Sequence, residues 1–375
     1  MTKPIAVGAA GNLYPPVEKL VANARRAEER GYDSVFWPDH LMAWHPESLW
    51  TEDVTPMAAL IPTPHVHVDA IAAMTAAAMG TESIRLGTAV TEAIRRNPAV
   101  LAQEMLTVHH FSSGRSILGI GAGEGENITP YGLDFSKPVA RLGEALRVIR
   151  LLWESEGPVN FAGEHFALDG AVMGLGDYEG TFPEIWVAAH GPRMCRITGE
   201  LGDGWMPTSM PVEHYEKRLE LIRKAATEAG RDPDAITPSL FTYVVPAEDH
   251  DAAHELLRNP LIRGFCLAAD DEAFRAAGSE HPLGAGTHGL LDYIPAGLSR
   301  KDAEDLIGAI PDQVVHDYIW HGNIDELEAK AREFAGAGLR HILPWNVAFF
   351  GDLSRISESF AILDELCSRL SQGGR

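Results

Sequence analysis

A (β/α)8 barrel is the fold class this sequence predicts. Eight short apolar runs alternate with stretches of helical spacing, and no linker, repeat or low-complexity segment divides the 375 residues. The whole chain, 1–375, reads as one TIM-barrel domain with insertions near 45–68 and 251–310. In such a barrel the site is made by residues at the C-terminal ends of the strands.

The first strand is the apolar run Ile5–Ala10. Val17, Leu20, Val21, Ala24 and Ala27 then recur at helical spacing up to Gly31. Ser34–Trp37 makes the second strand and runs directly into Pro38-Asp39-His40. From Met42 to about Val68, prolines, tryptophans and histidines keep no steady period, which predicts a long loop of the kind that carries a binding lid. A helix over Asp69–Gly80, a strand over Ile84–Val90 and a helix over Pro98–Phe111 follow, the last opened by Asn97 as N-cap before Pro98.

The fourth strand opens the stretch Arg115–Tyr131. The fourth helix carries Leu142, Ala145, Leu146, Ile149 and Leu152, and Pro158–Ala171 reads as a β-hairpin excursion. Strands five to eight are Glu184–His190, Gly204–Ser209, Thr237–Val245 and His341–Val347. Helices start at Pro192, include Leu219–Ala229, and span Ile324–Phe334 and Leu353–Cys367. The irregular stretch from Asp251 to about Ile310 is expected to cap the site.

Composition narrows the function. Hydrophobic residues at 45% and charged residues at 22% are ordinary for a soluble protein, and no apolar stretch is long enough to span a bilayer. A formal charge of −22 argues against nucleic acid or anionic membrane as the main partner. The N-terminus lacks the regions of a signal peptide, so a cytoplasmic location is the default. Cys195, Cys266 and Cys367 are widely spaced and read as reduced packing residues.

The strand ends offer Asp39-His40, Thr88-Ala-Val-Thr91, Glu124–Asn127, His190-Gly-Pro-Arg193 and Thr208-Ser209, which should converge on one pocket. His40 can exchange a proton near neutral pH, and Asp39 anchors the loop or meets a ligand. The glycines of Arg115–Tyr131 fail the G-x-G-x-x-G dinucleotide pattern in every register; they are expected to let the backbone approach a ligand that Glu124 touches. Trp44 is either core or pocket wall. The Ala188–Arg193 turn suits a phosphate on a helix N-terminus. His65-Val-His67 has the alternate spacing a metal site could use, but no cluster accompanies it and no metal is expected. His109-His110, late in a helix, read as a helix-terminus charge interaction.

With Trp37-Pro-Asp-His40 and Trp44, Leu86-Gly-Thr-Ala-Val90, Arg96–Gln103, Gly114–Glu124 and Trp186–Pro192, the chain resembles the bacterial-luciferase-like superfamily. The likeness is to its branch that uses the deazaflavin coenzyme F420. Lys137-Pro-Val-Ala-Arg141 and Ala188–Met194 make the likeness nearest to phthiodiolone ketoreductase-like proteins.

By that resemblance His40 exchanges a proton with the substrate oxygen, Trp44 helps hold the developing charge and Glu124 serves the deazaflavin ring. Asp39, Thr88, Ala89, Val90, Thr91, Ala122, Gly123 and Asn127 would line the cofactor, with a non-proline cis peptide between Ala89 and Val90. His190, Gly191, Arg193 and Met194 would hold the phosphate-bearing tail. The resemblance also implies a homodimer.

Sugar-phosphate dehydrogenases of the family place a lysine three residues after the threonine matching Thr208; this chain has Pro211. A more apolar ketone or secondary alcohol is therefore the expected substrate, reduced with F420. The rival readings are an FMN-dependent monooxygenase of the same superfamily and a non-catalytic F420-binding protein.

Overall fold

The computed structural model describes residues 4–372. Twelve strands occur in chain order: β1 (Ala6–Ala10), β2 (Ser34–Trp37), β3 (Arg85–Thr88), β4 (Thr91–Glu92), β5 (Ser116–Gly121), β6 (Val159–Ala162), β7 (Ala167–Ala171), β8 (Glu184–Val187), β9 (Gly204–Trp205), β10 (Thr237–Pro246), β11 (Ile319–Gly322) and β12 (His341–Asn346). Parallel pairing runs β1-β2-β3-β5-β8-β9-β10-β12 and returns to β1, closing an eight-stranded (β/α)8 barrel. These eight are the strands the apolar runs predicted. β6 and β7 form the separate antiparallel hairpin expected over 158–171.

β2 and β5 are buried along their whole length, the pattern of parallel strands covered on both faces. Outward-facing residues such as Val35, Leu86, Leu118, Ile185 and Ile342 pack under the helices. Phe36, Ile117, Trp186, Met206 and Leu343 form a separate cluster drawn from strands and a strand end. Beside it His341 is fully buried between the hydroxyls of Ser34, 2.9 Å away, and Ser239, 2.7 Å away. Burial pushes its pKa down to about 3, so it is a neutral core residue.

Pro98–Phe111 begins as predicted, with Asn97 Oδ1 accepting from Ala99 N–H at 2.9 Å. At its other end His109 corrects the helix-terminus charge reading. The ring is buried between Ser116 Oγ and Thr181 Oγ1, and burial lowers its pKa to about 4. A neutral imidazole brings no charge to the helix end.

The irregular stretch expected over 251–310 is longer in the structure. It runs from the helix His250–Leu256 to the helix Asp312–Tyr318 and leads into β11, which pairs only with β10. The cause lies in Val314, Val315 and Tyr318, which join the apolar cluster under this segment. Trp44, Leu49, Trp50 and Met57 from the 42–68 loop belong to the same cluster. Asn259 Nδ2 donates to Val54 O at 2.7 Å, and Arg300 pairs with Asp53 at 2.5 Å. The two insertions thus share one core and form a common cap.

Candidate active site

His40 follows β2 and Glu124 follows β5, and the barrel brings them together: His40 Nε2 lies 3.0 Å from Glu124 Oε2. Asn127 ties the two loops. Its Oδ1 accepts from Leu41 N–H at 2.7 Å and Met42 N–H at 3.0 Å, while its Nδ2 donates to Glu126 Oε1 at 3.2 Å. The backbone after His40 is therefore fastened to the loop that carries Glu124.

Two of the glycines around Glu124 answer to the protein's own backbone. A Cβ on Gly119 would lie 1.8 Å from Thr88 O, and one on Gly125 2.2 Å from Leu291 O in the cap. Gly123 has φ +102°, a conformation L side chains rarely adopt. At Gly121 the added Cβ would meet small side chains, 3.1 Å from Val90 Cγ2 and 3.6 Å from Ala188 Cβ. The ends of β5, β8 and the turn after β3 meet there.

Burial opposes charge on His40, but the carboxylate and hydrogen bond of Glu124 outweigh it and raise its pKa. Burial likewise pushes Glu124 up, and the His40 charge overcomes this to hold it below the usual carboxylate range. Glu126 goes the other way: burial first, then the adjacent Glu124 charge, raise it well above 4.5. The two neighbouring carboxyls are thus pushed in opposite directions, Glu124 toward its charged form and Glu126 toward its neutral one. The Glu126 Oε2 atom is buried without a partner. His40, Glu124 and Glu126 each bring one ligand atom within 4.8 Å of the others, and the His40 nitrogen already meets Glu124.

His67 stacks on His40, ring centroids 5.6 Å apart, and burial followed by the His40 charge lowers it to about 3. His65 is used differently, its Nδ1 accepting from Ala43 N–H at 3.1 Å.

Several predicted cofactor residues have side chains committed to the frame. Asp39 accepts from Thr91 Oγ1 at 2.6 Å and pairs with Arg95, 3.2 Å away, and with Arg96. Thr88 Oγ1 donates to Gly119 O at 2.6 Å. Both threonines are fully buried. The peptide between Ala89 and Val90 is cis, as the resemblance implied. Ala89, Val90, Ala122, Gly123 and Glu124 are half-buried.

His190 Nε2 accepts from Thr208 N–H at 3.0 Å and lies 2.7 Å from Thr208 Oγ1; burial, then the charge of Arg218, lowers it to about 4. Gly191 and Arg193 are exposed and Met194 half-buried at the start of the helix Pro192–Leu201, whose N-terminus no side chain caps. Arg193 joins Arg147 and Arg196 in lining a surface hollow of about 210 Å³.

Trp44 is buried, packs against Tyr293 with tilted rings 4.7 Å apart, and donates its indole N–H to Gly264 O at 2.9 Å. It is part of the cap's core. Sequence reasoning missed Glu126, although Glu124-x-Glu126 was visible, and it missed Tyr243, Tyr293 and Tyr318, which carry no local signal. Burial, and to a smaller degree negative charge that includes Glu124 or Glu126, raises all three phenols.

A closed parallel barrel with a His–Glu pair at two of its strand ends and a helical cap beside them is the architecture of a barrel enzyme. The chain belongs to the luciferase-like monooxygenase family, whose model matches residues 2–341. It is 40% identical over 345 residues to the phthiodiolone/phenolphthiodiolone dimycocerosates ketoreductase of Mycobacterium sp. (strain JLS), covering 89% of each chain. It is 25% identical over 333 residues to a 5,10-methylenetetrahydromethanopterin reductase of Methanolobus tindarius, covering 88% of this chain and 90% of the relative. Among solved structures, an F420-dependent secondary alcohol dehydrogenase in complex with an F420-acetone adduct shares the fold, with a TM-score of 0.75, 23% identity and coverage of 97% and 98%. No helix among the described residues is long and apolar enough to cross a membrane.

Proposed function

We propose that this chain is a coenzyme F420-dependent oxidoreductase that moves a hydride between the deazaflavin and a ketone or secondary alcohol, working as a ketoreductase. The observation that carries the reading is the His40–Glu124 pair, 3.0 Å apart at the ends of β2 and β5. The identity to ketoreductases over nearly the full chain supports the reaction type.

The residues present fit a flat, anionic cofactor. Val90, Gly121 and Ala188 form a cradle of small groups that an added Cβ at position 121 would fill. The exposed start of the helix Pro192–Leu201, with Arg193, gives an anionic tail backbone donors and a positive charge. His190, Gly191 and Met194 complete that end, and Ala89, Ala122, Gly123 and Asn127 the ring end. Asp39, Thr88 and Thr91 act as positioning residues through their buried bonds. Bound there, the deazaflavin supplies or accepts the hydride.

His40 does the proton work. Held protonated by Glu124, it donates a proton to the carbonyl oxygen as the carbon receives hydride, and takes the proton back when an alcohol is oxidised. Glu124 stabilises the imidazolium and fixes its orientation. Trp44 and the cap exclude water and wall an apolar substrate pocket. The same reading treats residues 1–375 as one catalytic domain, because barrel and cap both border the site.

Fluorescence titration with F420, followed by F420H2 oxidation against a panel of ketones, tests this. Binding with turnover supports it. Absence of F420 binding overturns it, and oxygen uptake with reduced FMN assigns the chain to the monooxygenase class instead.

A further inference from the structure

Four histidines gather away from the candidate active site, where the cap leaves and rejoins the barrel. His250 and His254 lie one turn apart on the helix Asp249 caps, His316 on the helix Asp312–Tyr318, and His321 on β11. Their ring centroids are close in five pairs: His254–His316 at 5.0 Å, His316–His321 at 5.1 Å, His250–His321 at 5.7 Å, His250–His254 at 6.1 Å and His254–His321 at 6.4 Å.

From this geometry we infer that the cap carries a second site, a four-imidazole site for a divalent transition ion of the zinc class, which fastens the two ends of the cap together. An imidazole nitrogen bonds zinc at about 2.0–2.1 Å, so ring centres stand about 3 Å from the ion and neighbouring centres about 5 Å apart. The observed spacings begin at that value. Two histidines at i and i+4 on one helical face are a chelating spacing in their own right.

Two rings also have the outer hydrogen bonds that prepare a ligand nitrogen. His250 Nδ1 lies 3.0 Å from Glu326 Oε1, and His321 Nδ1 lies 2.9 Å from Ile319 O. Donation of each Nδ1–H to that oxygen leaves Nε2 as the free lone pair, the arrangement that orients ligating histidines. As placed, no three of the four nitrogens stand within 4.8 Å of one another. Closing on the ion takes side-chain rotation, which the exposure of His250 and His316 allows.

The consequence is mechanical. The helix His250–Leu256 is the first of the cap after β10, the helix Asp312–Tyr318 is the last before β11, and these two strands pair in parallel. An ion bound by all four histidines cross-links the cap's exit and return, and divalent imidazole sites take zinc, nickel or copper.

The test uses the full chain without a polyhistidine tag, stripped with a chelator and titrated with Zn2+ against a chromophoric chelator. One zinc per chain and a rise in Tm with zinc are expected. The double variant His254→Gln/His321→Gln should weaken binding at least about tenfold. His250→Gln/His316→Gln, which changes only exposed rings, should do the same and abolish the zinc-dependent rise in Tm, even if the first variant folds poorly. Co2+ should give visible absorbance in the wild type and none in either variant. No stoichiometric zinc, or one zinc retained by the exposed-ring variant, overturns the proposal; the second outcome would place the ion at His40, Glu124 and Glu126.

Discussion

His40 Nε2 meets Glu124 Oε2 at 3.0 Å across the gap between the second and fourth barrel strands, though 84 positions separate them in the sequence (124 − 40). Because Glu124 holds His40 protonated beyond the usual imidazole range, ketone reduction should have an alkaline limb above pH 6.5. Glu124→Gln removes the attraction but not the burial, so that limb should move acidward by about one pH unit or more. The stability sign is the same: the contribution of a raised imidazole is complete below its unfolded pKa of about 6.5 and is lost as pH rises through the folded value. An unmoved pH–rate profile in the variant removes Glu124 from this role.

Replacing His40 with Gln should cut turnover by about 10² to 10⁴-fold, the usual worth of a positioned acid–base group. F420 affinity should stay within a few-fold, since the cradle at Val90, Gly121 and Ala188 is untouched. A variant with normal turnover excludes His40 from the chemistry.

Glu126→Gln is expected to be nearly silent at pH 7. Burial and the Glu124 charge push this carboxyl well above its ordinary range, toward the neutral form, and an amide of the same shape replaces it. Turnover within about threefold of wild type is the expected result, on the reasoning that no charged group is lost. A collapse of activity means that Glu126 works as an anion.

Glycine positions give a stability contrast. Gly119→Ala forces a Cβ against Thr88 O and should cost about 1–3 kcal/mol or more by overpacking, read as a fall in Tm. Gly191→Ala meets nothing within 4 Å and should leave the Tm unchanged within a degree or two.

Trp44→Phe keeps an aromatic side chain, smaller than the indole, and deletes the donor to Gly264 O. The lost buried hydrogen bond should lower stability by about 1–3 kcal/mol and loosen the cap. If the cap bounds the substrate pocket, KM should rise more than kcat falls; equal loss in both would place Trp44 in the chemistry itself.

Much of this molecule was legible in its sequence because apolar period and helix-start signals are local. Eight apolar runs marked the eight barrel strands, Asn97-Pro98 marked a helix start, and the rule that barrel sites gather at strand C-terminal ends selected His40 and Glu124 before any contact was known. The tertiary structure decided what those residues meet. Nothing local showed that Gly119 and Gly125 make room for Thr88 and Leu291, that His109 is neutral, that Glu126 is pushed toward its neutral form beside Glu124, or that Trp44 gives its N–H to the cap. Nor could spacing reveal the four histidines, which come from three elements between positions 250 and 321. Period reports which face of an element is buried; charge state and partnership depend on neighbours distant in sequence, and only closure of the barrel and cap supplies them.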